Sequence, residues 1–284
     1  DIYVIADNCN DDTAEKARIA GAHVYERFDN KKVGKGYALD FLFKKLKDEG
    51  VKHDGYFIFD ADNLLSRNYI SEMNKVFNQN YKIVTSYRNS KNYDSNWISA
   101  GYSLWFLRES KYLNYARMLL NKSCAVSGTG FLISSDIVNK NDGWKYHLLT
   151  EDIEFTIDSV INGEKIGYCN SAYFYDEQPT SFKDSWNQRM RWSKGFYQVF
   201  FKYGYNLFVS IFKNKDFSCY DMFMTVAPMM LISIGMILFN SFIFLYSLMV
   251  NDIQTSRLTL QYVLSYFLNT YIMKEKILNS LAGE

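Results

Sequence analysis

From Met222 to Asn251 the chain carries no charged side chain, and the run includes Leu231-Ile232-Ser233-Ile234-Gly235-Met236-Ile237-Leu238-Phe239. At about 1.5 Å per residue such a run can cross a bilayer core roughly 30 Å thick. A second uncharged stretch, Leu258 to Met273, contains Gln261, Ser265 and Asn269, and it predicts a return span that makes 222–284 a transmembrane hairpin. Lys194, Lys202, Lys213 and Lys215 precede the first run, Asp252 and Arg257 follow it, and Lys274 and Lys276 follow the second. Positive charge gathers on the cytoplasmic side. The soluble part is therefore expected on the cytoplasmic face of the cell membrane, in a multi-pass topology with the lipid bilayer as a partner.

What precedes the run has the composition of a folded domain: 48% of all residues are hydrophobic and only 2 are proline. Lys and Arg number 32 against 31 Asp and Glu, so no global field recruits nucleic acid, and none is expected as a partner. The 4 cysteines, Cys9, Cys124, Cys169 and Cys219, form no C-x-x-C pair and read as reduced thiols, not as a zinc site or disulfide framework. The opening Asp1-Ile2-Tyr3-Val4-Ile5-Ala6 lacks an initiator Met and starts inside a strand, as a truncated chain would.

Apolar strands alternate with helical patterns. Ile2–Ala6 reads as a strand, and Asp12-Thr13-Ala14-Glu15 as a capping box opening a helix that closes near Gly21. His23-Val24-Tyr25-Glu26 is the next strand, and Leu39, Leu42, Phe43 and Leu46 mark the apolar face of a helix from about Gly36 to Glu49. Tyr56-Phe57-Ile58-Phe59 is a third strand. The alternation predicts an α/β fold on a mostly parallel sheet, with ligands at the carboxyl ends of its strands.

Polar residues collect at those ends. Tyr56–Phe59 leads into Asp60-Ala61-Asp62-Asn63, where continued extension would aim Asp60 and Asp62 to one side. Paired carboxylates of this kind suit Mg²⁺ or Mn²⁺ with positions open for phosphate oxygens, while a solvated turn is the plainer explanation. Asp7, at the end of the first strand, is placed to bind a base or ribose, and Asp11 and Asp12 to cap the helix. Gly34-Lys35-Gly36 precedes a helix N-terminus, a place for phosphate or for a simple loop. Ser127-Gly128-Thr129-Gly130-Phe131 offers glycines where a substrate could approach backbone, or a tight turn between strands. In Leu149-Thr150-Glu151-Asp152-Ile153-Glu154-Phe155, Thr150 reads as an N-cap, and capping leaves the acid cluster over-supplied. Gln188-Arg189-Met190-Arg191-Trp192 opens an aromatic helical segment running through Phe196, Tyr197, Phe200 and Phe201. An amphipathic helix on a membrane surface has such a composition, as does a helix holding a diphosphate and a sugar ring.

Taken in order, strand-D-x-D, S-G-T-G-F, T-E-D and Q-x-x-R-W followed by membrane helices resemble a membrane-integrated family 2 glycosyltransferase of the kind that includes cellulose, chitin and hyaluronan synthases. The resemblance implies a GT-A, Rossmann-like nucleotide-sugar domain over 1–184 whose first strand and helix are missing, amphipathic interface helices over 185–221, and the hairpin after them. It implies that Asp7 contacts the nucleoside, Asp60 the nucleotide, Asp62 a divalent Mg²⁺ or Mn²⁺, and that Asp152 is the general base. It places Lys35, Gln188 and Arg191 at the donor diphosphate, with Trp192, Gly128, Thr150 and Glu151 toward the acceptor. The implied reaction is inverting transfer from a UDP-sugar to a growing glycan or a lipid-linked acceptor. A non-processive transferase acting on a lipid and a catalytically silent scaffold keep the same fold, and a nucleotidyltransferase would leave Trp192 and the T-E-D cluster idle.

Overall fold

The computed structural model describes residues 1–265 and residue 268. The chain opens with β1 (Tyr3–Asp7), α1 (Thr13–Ile19) and β2 (His23–Arg27), and the two strands pair in parallel. The expected capping box does not form. Asp12 pairs with Lys16 one turn on, and it is the Asp11 carboxylate that takes the Thr13 amide at 3.1 Å. Next comes α2 (Lys35–Asp48), which buries Ala38, Leu39, Leu42, Phe43 and Leu46 at helical spacing.

A five-stranded sheet forms the rest of the frame. It contains β3 (Gly55–Ile58), β4 (Leu64–Leu65), β5 (Ile83–Ser90), β6 (Phe131–Ser134) and β7 (Ile166–Asp176), in the order β3-β6-β5-β7-β4. Parallel pairing is confined to β1–β2 and β5–β7, and β6 runs antiparallel to both its neighbours. The sheet is thus mixed, not mostly parallel. An apolar run such as Phe131-Leu132-Ile133 is buried on both faces in either direction, so composition does not fix its sense. Between the strands lie α3 (Tyr69–Phe77), α4 (Trp97–Leu107), a π-helical segment at Arg108–Asn114, α5 (Tyr115–Leu119), α6 (Ser135–Lys140) and α7 (Glu151–Ile161). Phe131, Trp144, Tyr146 and Phe155 pack ring to ring in the main core beside Ile133 and Ile166.

The 33-residue α8 (Phe182–Asn214) crosses α7 and is followed by α9 (Phe217–Val226) and α10 (Pro228–Met249). The uncharged run does not act as one span from Met222. Met222 is fully buried in α9 against α7 and α8, with Cys219 and Val226, and the chain bends before Pro228. The boundary expected at 221 therefore falls inside a packed helix. Leu231–Met249 is the one helix among the described residues long and apolar enough to cross a membrane, with mean hydropathy 2.0 and hardly any of its residues buried. Residues 253–265 form a further helical stretch, and the remainder of the expected second span lies outside the described residues, as do Lys274 and Lys276. A multi-pass hairpin is therefore not supported.

Candidate active site

The strand expected at Tyr56–Phe59 ends at Ile58, and residues 60–63 turn back on themselves, the Asn63 amide donating to the Asp60 carbonyl at 3.1 Å. Thr129 Oγ1 accepts the Asp60 amide at 2.9 Å. Alternation along extended backbone therefore stops before the two acids. Asp60 Oδ1 accepts from Lys35 Nζ at 2.5 Å, whereas Asp62 Oδ2 accepts the Glu177 amide at 3.1 Å. The D-x-D acids sit on adjacent sides of one turn, each held by a different neighbour.

Lys35 ties this turn to the S-G-T-G-F segment, because Nζ also donates to the Gly128 carbonyl at 2.7 Å. Gly128 and Gly130 have φ of 72° and 66°, where side chains are disfavoured. A Cβ on Gly130 would lie 2.2 Å from the Phe174 ring, so close packing accounts for that glycine. Gly128 is different: a Cβ there would meet only Asp152 Oδ2 at 3.8 Å and Arg88 Nη1 at 3.9 Å. Its open face lies between the base candidate and a guanidinium.

Asp152 sits in the first turn of α7, where amide dipoles favour an anion. Burial pushes its pKa up, partly offset by hydrogen bonds from the Ile153 and Gly128 amides and by the Lys35 and Arg88 charges. Burial and the Asp152 charge push neighbouring Glu151 up to about 7. Thr150 occupies the N-cap position, but its side chain does not cap. Its hydroxyl is buried without a hydrogen-bond partner, and its side chain lies 2.5 Å from where a Cβ on Gly195 of α8 would stand. Glu154, fully buried, accepts from Lys202 at 2.7 Å and Tyr203 at 3.0 Å, locking α7 to α8.

The structure thus brings together Lys35, Asp60, Gly128, Glu151 and Asp152, with Asp62 in the same turn as Asp60. Asp7 is engaged elsewhere: its Oδ1 accepts from the buried Arg27 at 2.6 Å. On α8, Gln188 Oε1 is buried without a partner and Arg191 is exposed. Trp192 is half-buried, edge-on to Tyr102 and Phe106 of α4 at 5.8 and 6.2 Å. Phe200 packs against Phe223 of α9 and belongs to the core, while Phe201 remains 37% exposed.

Sequence reasoning missed Arg88 and Asp176. Arg88 Nε donates to Asp176 at 2.7 Å and Nη1 to the Ser127 carbonyl at 3.1 Å, and its guanidinium lies 3.6 Å above the Phe106 ring. An arginine inside a strand otherwise rich in apolar and small residues was the available signal.

Among the described residues no three His, Cys, Asp or Glu side chains cluster to hold a metal unaided. The donor set nevertheless fits a divalent cation. Asp60 is 47% exposed and Asp62 is exposed, and Mg²⁺-like ions are commonly held by one or two carboxylates together with substrate phosphates.

A family model described as glycosyltransferase like family 2 matches residues 1–195. The chain is 32% identical over 104 residues to probable glycosyltransferase YdaM of Bacillus subtilis (strain 168), a stretch covering 37% of this chain and 25% of that protein. It is 25% identical over 92 residues to beta-monoglucosyldiacylglycerol synthase of Synechocystis sp., covering 32% of this chain and 19% of the other. Matched stretches thus span a quarter or less of these relatives. Among solved structures, mannosyltransferase PcManGT from Pyrobaculum calidifontis, in complex with GDP-Man and Mn²⁺, superposes with TM-score 0.51 at 14% identity, covering 71% of this chain and 54% of that one. That likeness establishes the α/β GT-A fold. The family match runs from the first strand through the Q-x-x-R-W segment, and with the fold it places this chain in glycosyltransferase family 2.

Proposed function

We propose that the protein transfers a sugar, with inversion, from a nucleoside diphosphate sugar to an acceptor hydroxyl at the cytoplasmic face of a membrane. The observation that carries this reading is the Asp152 carboxylate, set in the first turn of α7 across Gly128 from the Lys35–Asp60 pair. Asp152 removes the proton from the attacking hydroxyl, and one base suffices because inversion needs no covalent intermediate. Lys35 and Asp60 bind and orient the diphosphate end of a UDP-sugar, and Asp7 the nucleoside. Mg²⁺ or Mn²⁺, held by Asp62 with Asp60 adjacent, would supply charge stabilisation for the departing diphosphate. Gln188 and Arg191 approach the donor, while Trp192, Gly128, Thr150 and Glu151 face the acceptor. The buried, unpartnered Gln188 oxygen supports a ligand at α8, since such groups ordinarily find partners.

A lipid acceptor is the second reading, favoured by the relative whose name contains diacylglycerol and by the candidate span at Leu231–Met249. Full-length protein in membranes, supplied with radiolabelled UDP-sugars and GDP-mannose, separates the two. Labelled polymer supports a growing glycan, one sugar on extractable lipid supports the second reading, and release of no nucleoside diphosphate from any donor rejects transfer.

A further inference from the structure

The arginine of β5 is paired inside the protein with the last residue of β7. The side chains of Arg88 and Asp176 are 14% and 5% exposed, and Arg88 Nε donates to Asp176 Oδ2 at 2.7 Å with Nη2 on the same oxygen. The other carboxylate oxygen accepts from Gln178 Nε2 at 2.6 Å, and the guanidinium lies 3.6 Å from the centre of the Phe106 ring. A buried ion pair adds little to stability, because desolvation of the two charges offsets their attraction. What it supplies is fixed geometry, and here that geometry joins two parts of the candidate site. On the arginine side, Nη1 donates to the Ser127 carbonyl at 3.1 Å, and the carbonyl of the next residue, Gly128, takes Lys35 Nζ at 2.7 Å. On the aspartate side, the amide of the next residue, Glu177, donates to Asp62 Oδ2 at 3.1 Å. Lys35 also reaches Asp60, so the hydrogen bonds close a ring that returns to the turn bearing Asp60 and Asp62. Thr129 braces the ring from within: its amide donates to the Ser127 carbonyl at 2.8 Å and its hydroxyl accepts the Asp60 amide at 2.9 Å.

We propose that Arg88 and Asp176 are a positioning pair for sugar transfer, fixing the Ser127–Gly128 turn and the segment after β7 relative to each other and so setting Lys35 against Asp62. Neither residue is asked to touch donor or acceptor. The role in transfer rests on the proposed function, in which Lys35 orients the diphosphate and Asp62 holds the cation. The link itself rests on the hydrogen bonds alone. Its position calls for the planar fork of an arginine, since Nε and Nη2 engage Asp176 while Nη1 reaches Ser127. A lysine there keeps the charge and loses the fork.

Two variants of the full chain in detergent micelles separate this role from packing: the double variant Arg88→Met with Asp176→Leu, and Arg88→Lys. Exchanging a buried ion pair for apolar side chains of similar volume is often neutral or stabilising, so the double variant should keep the wild-type melting temperature. Hydrogen exchange followed by mass spectrometry, without ligand, reads the link directly. Peptides holding the amides of Asp60, Asn63, Thr129 and Glu177 should exchange about fivefold or more faster in both variants, while peptides from α3 and α6 keep the wild-type rate. Turnover, measured as nucleoside diphosphate released from UDP-glucose, UDP-N-acetylglucosamine or GDP-mannose, should fall about tenfold or more in both. Wild-type exchange at those amides in either folded variant overturns the link, and wild-type turnover despite faster exchange overturns its role in transfer. Should the double variant fail to fold, Arg88→Lys decides alone by the same two readings. If the wild-type protein turns over no donor, the proposed function fails, and hydrogen exchange still accepts or rejects the link.

Discussion

Asp152 combines a raised pKa with a fixed hydrogen-bond environment, and the two have separable consequences. A base must be ionised, so turnover at saturating donor is expected to fall as pH drops through the range near 7 where the Glu151–Asp152 pair takes up a proton. Asp152→Asn should lower turnover by roughly 10² or more and erase that limb. The sign for stability is opposite. A carboxyl whose folded pKa is raised favours folding below its unfolded pKa and loses that contribution as pH rises, so Asp152→Asn should melt no lower than wild type above neutrality. A variant that loses both turnover and melting temperature there would speak for helix capping. At Asp62 the check is binding: Asp62→Asn should abolish the metal dependence of UDP affinity in a titration with Mn²⁺, and unchanged affinity and metal dependence would return the D-x-D pair to a simple turn.

The sharpest constraint between elements is where α8 crosses the start of α7. Gly195 leaves room for Thr150, and a Cβ there would stand 2.5 Å from that side chain. Gly195→Ala should therefore cost about 1–3 kcal/mol by overpacking, read as a lower Tm. It should also reduce turnover out of proportion, because Thr150 immediately precedes the acidic turn. The elements themselves were largely legible in the sequence: the apolar spacing of Leu39, Leu42, Phe43 and Leu46 located α2, and the T-E-D and Q-x-x-R-W segments both fell on helices. Strand direction was not legible, because β6 is apolar throughout and the order of pairing is decided by connections remote in sequence. The capping box failed because Asp11 and Asp12 are equivalent on paper, and only the backbone decides which reaches Thr13. Lys35 appeared as a helix-start lysine, yet its link between Asp60 and Gly128 spans residues 25 and 93 positions away.

For the molecule as a whole, α9 is a packed element of the folded unit, and the stretch long and apolar enough to cross a membrane starts at Leu231. Deleting the chain from Leu231 onward should release the protein from membranes on fractionation while leaving its melting transition nearly in place. Loss of folding on that deletion would mean that α10 serves the core, and continued membrane retention would identify α8 as a sufficient interfacial anchor.

With 33 residues, α8 is a rod about 50 Å long. Glu154, Lys202 and Tyr203 rivet it to α7 near its middle, and Gly195 seats it on Thr150. Its far end leads through α9 into the apolar α10. A rod pinned in this way behaves as a lever, so under the proposed membrane location a tilt of its far end is delivered to the acidic turn. On the proposed function, bilayer thickness then becomes an input to catalysis. Reconstituted into discs of lipids with progressively longer acyl chains, the protein should change its turnover while its affinity for UDP stays level, and Glu154→Ala, which loosens the rivet, should flatten that dependence.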